Sequence, residues 1–427
     1  MKEVEDPERG RKVRVRYAPS PTGVPHIGNI RTALFNYLFA KKENGNFILR
    51  IEDTDRRRST IEHVDKIKES LEVLGLNWDS EYLQSQRLAI YRQHLEILAK
   101  KRLTYQEEGA WRFKANTDKN QISWNDLVHG QVGFPAKIIE DFIIIKSDGF
   151  PTYHLASVVD DHEMKITHVM RGDEWISSTP KHLLLYQAFG WQPPSFAHLP
   201  PILGPSHKKL SKRDGAKSVL EYIDEGYLPQ ALINFLALLG WAPKGDQEIF
   251  ALADLIHEFS VTRINKNSPI FNIEKLNWFN KKYLQKLSTE ELVEKIKKFP
   301  GTTLKMSGNE KRLTNVISLV RDRLVTLADF DQVASIFFTK GKLEPPSKSK
   351  IQNAKKAILS VGTWDEQSIT QRLNNWITVN KLDPADFKNT LRLAVFADNT
   401  PPIYQSLAVL TKEEVIVRIN DAVKKAK

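Results

Sequence analysis

Two loops in this sequence carry residue types that handle phosphate. The first, Pro19-Ser20-Pro21-Thr22-Gly23-Val24-Pro25-His26-Ile27-Gly28-Asn29, falls between a stretch with strand character and one with helical spacing. A helix starting there offers free N–H groups and the positive end of its dipole to an anion. Gly28 lets backbone come close to a nucleotide, and His26 can donate to a phosphate oxygen. The second loop, His207-Lys208-Lys209-Leu210-Ser211-Lys212-Arg213-Asp214-Gly215, gathers cations between Gly204 and Gly215. Mobile lysines there can stabilise charge developing on a departing pyrophosphate. A bare His-x-Gly or a basic surface loop is common by itself. Both, in this order with strand and helix signals between them, form a much rarer pattern.

These loops need elements to hold them. Val13–Tyr17 reads as a strand, Asn29–Lys42 as a helix with Ile30, Ala33, Leu34, Tyr37 and Leu38 at helical spacing, and Phe47–Ile51 as a buried strand. A β-loop-helix-β start opens a parallel α/β sheet, which binds ligands at the carboxyl ends of its strands. A second such run begins at Asp141, with strands at Phe142–Ile145 and ending at Val169–Arg171, then a helix over Thr179–Gly190 with Pro180 in its first turn. Tyr105–Glu140 between the halves is mixed and polar, as an insertion would be. Past Gly226 the pattern turns helical, and Ser288–Glu291 and Thr411–Glu414 fit capping boxes.

Composition bounds the partners. At 427 residues the chain predicts two to four domains, and a net charge of +11 suits a polyanion partner. No cysteine is present, which excludes disulfides and thiolate metal sites. The longest apolar run, around Leu232–Trp241, is too short to span a bilayer, and Met1–Gly10 reads as a disordered lead-in without signal character. A cytoplasmic protein with no membrane partner is expected.

The two loops resemble the HIGH and KMSKS signatures of class I aminoacyl-tRNA synthetases, the second as Lys209–Arg213 in a KLSKR form. Arg16–Gly23 and Ile51-Glu52-Asp53-Thr54-Asp55 narrow the resemblance to the glutamyl/glutaminyl branch. Asp148–Asp161, Arg171–Trp175 and Gly226–Gly240 resemble bacterial glutamyl-tRNA synthetases. The resemblance runs from Val13 to the C-terminus, strongest through Trp241.

It implies an α/β fold: a Rossmann-type catalytic domain in two halves (1–104 and 141–225) around an inserted acceptor-end-binding region (105–140). A helical stem-contact domain (226–309) and an all-helical anticodon-binding domain (310–427) follow. It also implies ATP-dependent attachment of L-glutamate to tRNA-Glu through a glutamyl-adenylate. The family's glutamate pocket falls on Arg16, Ser20, Glu52, Tyr153, Ser157 and Arg171. Its ATP site falls on His26, Gly28, Glu174, Ile202 by backbone, Lys209 and Lys212, with His26, Gly28, Lys209 and Lys212 as the catalytic set. Two guanidinium groups and one acid suit a substrate with two carboxylates and one ammonium. Magnesium is expected to arrive on ATP, with no dedicated protein cage.

Two departures stand out. Close relatives place asparagine where this chain has Ser157, so one pocket hydrogen bond is lost or carried by water. Many bacterial relatives carry a cysteine zinc knob in the insertion; here Tyr105–Gly109 runs straight into Ala110–Lys114, so the insertion reads as shortened and no zinc is expected. His129, His154 and His162 are too scattered to replace it. Lys305-Met306-Ser307 mimics half of the second signature beyond the α/β region and is taken as surface. Trp364, Trp376, Arg392 and Tyr404 are candidate anticodon contacts, with core packing the default for the aromatics.

A monomer is expected. Charging of both tRNA-Glu and tRNA-Gln is the nearest alternative. From other classes come a small-molecule nucleotidyltransferase, which shares the His-x-Gly loop, and a catalytically silent tRNA-binding paralogue.

Overall fold

The computed structural model describes residues 12–210, 217–303, 310–339, 341 and 343–426. Met1–Gly10, Lys212 and Lys305-Met306-Ser307 lie outside the described residues. Packing divides the chain into two units, one running through Tyr222 with Pro229–Phe279, the other Ile223–Leu228 with Asn280–Lys427.

In the first unit, β1 (Arg14–Tyr17), α1 (Ile27–Lys42) and β2 (Asn46–Ile51) make the opening β-loop-helix-β, and β1 pairs with β2 in parallel. Helix α1 begins two residues before the apolar spacing predicts. His26 is its N-cap, and the imidazole Nδ1 accepts the Gly28 N–H at 3.0 Å, which closes the first turn early. Ile30, Leu34, Phe35 and Leu38 of α1 are buried, each burial contributing about 1.5–3 kcal/mol. Helix α2 (Ile61–Val73) then leads to β3 (Ser80–Leu83), parallel to β2.

After α3 (Leu88–Lys100) come β4 (Thr104–Glu107), β5 (Ala110–Phe113), β6 (Gln121–Asp126) and β7 (Gly130–Pro135). This intervening segment is stitched into its surroundings. β4 and β5 make an antiparallel sheet with β8 (Phe142–Ile145), and β6 carries β7 on one side. The chain continues through α4 (Tyr153–Glu163), β9 (His168–Gly172), α5 (Thr179–Phe189) and β10 (Ser195–Leu199). β10 lies parallel to β9 and meets β6 where Phe196 faces Asp126.

The two halves join at β1 and β9. Thr167 N–H donates to Arg14 O at 2.9 Å, and Arg14 N–H donates to Thr167 Oγ1 at 3.0 Å. From that seam β1-β2-β3 runs one way and β9-β10 the other. The strand order reverses there, which opens a crevice at the carboxyl ends of the strands.

Helices α6 (Val219–Asp224), α7 (Pro229–Leu238), α8 (Leu252–Glu258) and α9 (Ile273–Lys286) follow. The second unit is helical, ending in a run from α10 (Thr289–Lys298) to α17 (Lys412–Lys425). Both predicted capping boxes form, Ser288 with Glu291 and Thr411 with Glu414, each side chain accepting the other residue's N–H.

Candidate active site

A cleft of about 410 Å³ opens at the seam, lined from β1, β9, the loop after β1 and Glu52 just past β2. Of the residues expected from sequence, Arg16, Ser20, His26, Glu52, Tyr153, Arg171 and Glu174 line it. Gly28, Ser157, Ile202 and Lys209 stand outside the lining, and Lys212 is outside the described residues.

Two loops meet at the start of α1. The first is held down by main chain: Glu52 N–H donates to Pro19 O at 2.9 Å, and Thr60 N–H to Pro21 O at 3.3 Å. Because His26 Nδ1 accepts from Gly28, the neutral ring carries its proton on Nε2, which remains a donor. A Cβ on Gly28 would come within 2.8 Å of His26 Cε1, so glycine lets the ring fold back over the helix start. Partial desolvation and then the charge of Lys209 depress the His26 pKa, with Glu174 opposing.

The second loop folds back on Ile202, whose carbonyl accepts the Leu210 N–H at 2.9 Å, while Lys208 O accepts the Gly204 N–H at 2.8 Å. On the far side of residues 211–216, Lys217 O accepts the Ile27 N–H at 3.2 Å, and Ser218 bridges His26. Lys209 is exposed, and Lys217 and Ser218 lie beside the cap of α1.

The inner end of the cleft holds buried charge. Arg16, 3% exposed, donates from Nε to Asp161 Oδ1 at 3.0 Å. Arg50, fully buried, donates to Asp161 Oδ1 at 2.6 Å and to Glu52 Oε1 at 3.1 Å. Asp160 accepts from Arg87 Nε at 2.8 Å, Gln84 Nε2 at 2.9 Å and the Tyr91 hydroxyl at 2.8 Å. Three guanidinium groups thus face three carboxylates. Burial would raise Asp161, but the charges and hydrogen bonds of Arg16 and Arg50 hold it below the usual carboxylate range. Burial wins at Glu52, whose pKa is raised despite Arg50 and Arg16.

Arg171 is anchored differently. Its Nε donates to His198 Nε2 at 3.1 Å, Nη1 to the Tyr153 hydroxyl at 2.8 Å and to His182 Nδ1 at 3.2 Å, and Nη2 to Thr179 Oγ1 at 2.8 Å and Trp175 O at 3.4 Å. All five N–H donors have partners within the protein. Arg16 contrasts with it: Nε holds Asp161 and Nη1 points to Met170 O at 3.5 Å, while Nη2 has no partner among the described residues. Ser157 is fully buried on α4, and among the described residues its hydroxyl has one hydrogen-bond partner, Arg50, at 3.4 Å.

Sequence reasoning missed Arg50, Asp160, Asp161, His182 and His198. One signal was available: Arg50 and Glu52 share a strand face by their spacing of two. In the second unit, Trp364 Nε1 donates to Leu410 O, Trp376 Nε1 to Asn353 Oδ1, Arg392 Nε to Pro401 O and the Tyr404 hydroxyl to Asn374 Oδ1. Each of the four candidate anticodon contacts is therefore tied inside its own unit. Of the three scattered histidines, His129 pairs with Asp173 at 3.0 Å, His154 meets His182 at 3.3 Å, and His162 stacks on Trp191 at 3.7 Å. No helix among the described residues is long and apolar enough to cross a membrane.

Comparison with known proteins shows the family. The profile for tRNA synthetases class I (E and Q), catalytic domain, matches residues 12–110 and 106–278. The two matched segments overlap at residues 106–110, where β4 turns into β5. An anticodon binding domain profile matches residues 289–423. The glutamate–tRNA ligase of Dehalococcoides mccartyi is 38% identical over 96% of this chain and 97% of its own length. That of Moorella thermoacetica is 37% identical over 96% and 98%. A crystal structure of a glutamate tRNA ligase from Elizabethkingia meningosepticum, in complex with its amino acid, superposes with a TM-score of 0.91 at 32% identity, covering 98% of this chain and all of that one. With matched profiles over nearly all the described chain and relatives of this identity along its whole length, the chain belongs to the glutamyl-tRNA synthetase family of class I aminoacyl-tRNA synthetases.

Proposed function

We propose that this chain attaches L-glutamate to tRNA-Glu in two steps at the cleft between β1 and β9. The observation that carries the reading is the meeting of Arg16, Glu52 and Arg171 in one crevice whose rim holds His26 and the Lys209 loop. Glutamate brings two carboxylates and an ammonium, and the crevice supplies two guanidinium groups and one carboxylate. Arg16 has donors to spare for a carboxylate; Arg171 takes the other by releasing one of its present partners. Glu52 receives the ammonium while keeping Arg50. A neutral glutamine amide suits a guanidinium poorly, because its NH₂ meets donors.

In the first step a glutamate α-carboxylate oxygen bonds to the α-phosphorus of ATP. The bond from that phosphorus to the bridging oxygen breaks, and pyrophosphate leaves. The carboxylate is already ionised, so no general base is needed, and the rate comes from alignment and charge stabilisation. His26 donates from Nε2 to the phosphates, and Lys209 with Lys212 stabilises the departing pyrophosphate. Gly28, Glu174 and the Ile202 backbone hold the nucleotide. Magnesium carried on ATP neutralises phosphate charge. In the second step the 2′-hydroxyl oxygen of the terminal adenosine bonds to the adenylate carbonyl carbon, the bond from that carbon to the phosphate oxygen breaks, and AMP leaves, its phosphate taking the hydroxyl proton.

The domain assignments follow the same reading. Residues 105–140 meet the acceptor end, 226–309 the stem and 310–427 the anticodon; the anticodon binding domain match supports the last. The net charge of +11 suits an RNA partner. The test is aminoacylation of tRNA-Glu and tRNA-Gln transcripts with labelled glutamate, ATP and magnesium. Charging of tRNA-Glu alone is expected. Charging of both would keep the chemistry and widen the tRNA choice; charging of neither by folded protein would overturn the reading.

A further inference from the structure

We propose that Asp126 and His198 are positioning residues for Arg171, fixing the guanidinium that holds a substrate carboxylate; the inference rests on the glutamate reading above. Asp126 lies at the end of β6, in the segment between the sheet halves, and His198 lies on β10. Both are buried, at 1% and 0% exposure, and neither lines the cleft. The contact they share reaches the cleft directly at Arg171, and through Thr179 at Trp175.

Hydrogen-bond polarity fixes the arrangement. Asp126 Oδ1 accepts the backbone N–H groups of Val128 at 3.0 Å, His129 at 3.1 Å and His198 at 3.3 Å. Its Oδ2 accepts from Trp124 Nε1 at 3.4 Å and from His198 Nδ1 at 2.6 Å. Every neighbour of this carboxylate is a donor. His198 Nδ1 therefore carries a proton, and the neutral ring presents a bare Nε2 lone pair. That lone pair accepts the Arg171 Nε–H at 3.1 Å. The opposite tautomer, or a doubly protonated ring, would set one N–H against another. Thr179 fits the same scheme: its Oγ1 accepts from Arg171 Nη2, and its one proton faces two acceptors, Trp175 O at 3.1 Å and the bare His198 Nε2 at 3.2 Å.

With Nε held, the guanidinium plane cannot turn about its own stem, so Nη1 and Nη2 keep one orientation at the cleft. Pre-set orientation is what lets a guanidinium recognise a carboxylate without ordering itself on binding. The relay also gives β6 a role in the pocket without touching substrate.

Three variants separate this from a plain structural role. Asp126→Asn puts an NH₂ among donors, either against His198 Nδ1–H or against the three backbone N–H groups. His198→Asn keeps a polar group near Asp126 but ends short of Arg171. His198→Gln reaches the Nε2 position and restores an acceptor for Arg171. Charging kinetics with tRNA-Glu should show KM for glutamate raised about tenfold to a hundredfold in Asp126→Asn and His198→Asn. KM for ATP should stay at its wild-type value, and His198→Gln should recover most of the loss. Parallel rises in both KM values, or a His198→Gln no better than His198→Asn, would overturn the proposal.

A second readout does not depend on the substrate. The side-chain ¹⁵N shifts of His198 in the full chain should report a protonated Nδ1 beside a bare Nε2, altered in Asp126→Asn. A proton found on Nε2 of the wild type overturns the proposal. Failure of the wild type to charge any tRNA would instead sink the glutamate reading, with the tautomer still deciding the relay.

Discussion

Arg50 lies on β2 and Glu52 one residue past its end, and the Arg50 guanidinium donates to Glu52 at 3.1 Å while also donating to Asp161 at 2.6 Å. The acid proposed for the substrate ammonium is therefore held by a buried cation two residues before it. That cation is shared with the carboxylate that also holds Arg16. Arg50 acts as the central tie of the inner cleft, fixing the acid and, through Asp161, the open guanidinium.

Replacing Arg50 by methionine removes one charge from a balanced buried cluster, takes the guanidinium partner from Glu52 and leaves Asp161 with Arg16 alone. Breaking one partner of such a pair costs about 3–5 kcal/mol. Urea unfolding of Arg50→Met should show a loss of that size, with the slope unchanged. A variant as stable as wild type would mean that the two acids find other partners or take up protons at little expense.

Ser157 gives a contrasting expectation. It is fully buried and stands off the cleft lining, and among the described residues its hydroxyl bonds Arg50 alone, at 3.4 Å. A hydrogen bond that long is weak, and a typical one contributes only about 1 kcal/mol. Ser157→Ala should leave KM for glutamate within about threefold of wild type, consistent with so small a term. A rise of tenfold or more would place the hydroxyl in the glutamate site, directly or through a water.

How far the site could be read from sequence divides along a physical line. The loop–helix start at Pro19–Asn29 and the parallel β1-β2 pair follow from local spacing and breaker residues, which a single chain records. Arg16, Glu52, Tyr153 and Arg171 were named through a family resemblance and meet in one cleft. Their supports were not legible. Asp161 reaches Arg16 across 145 positions and Arg50 across 111, and Asp126 reaches His198 across 72. Nothing local marks such pairs, and a charged residue on a strand reads first as a solvent face. The early start of α1 was missed for a related reason, since histidine is not among the usual caps. Only the folded-back ring shows it acting as one.

Acid stability should reflect the histidines around Arg171. Burial, then Lys181 and Arg171, depresses His154 to about 4. Burial holds His182 well below the ordinary range and also lowers His198, with the hydrogen bond to Asp126 opposing in the latter. Below about 6.5 the unfolded chain binds protons that these native rings refuse, so stability falls as pH drops from there towards 4. Asp161, depressed in the fold, keeps its contribution above about 3.9 and loses it as pH falls further. Glu52, raised by burial, works the other way just above its unfolded value, but three rings oppose one carboxyl. The urea midpoint should therefore decline between pH 6.5 and 4.5, and His182→Gln should flatten the decline. A midpoint unchanged across that range would contradict the neutral rings.

His26 carries two duties that one pair of variants can part. As N-cap of α1 its Nδ1 satisfies the Gly28 N–H, and as a neutral ring it keeps an Nε2–H donor at the rim of the cleft. Alanine removes both. Asparagine is among the best N-caps but lacks the distant donor. His26→Ala should lower stability by about 1 kcal/mol, and His26→Asn should stay near wild type. Both should lose about 10²-fold or more in kcat for glutamate-dependent, tRNA-supported pyrophosphate exchange, as when a donor aimed at developing charge is removed. The split is what matters: stability lost in one variant, catalysis in both. If His26→Asn retains full exchange, the imidazole serves the helix alone, and charge stabilisation at the phosphates must come from the Lys209 loop.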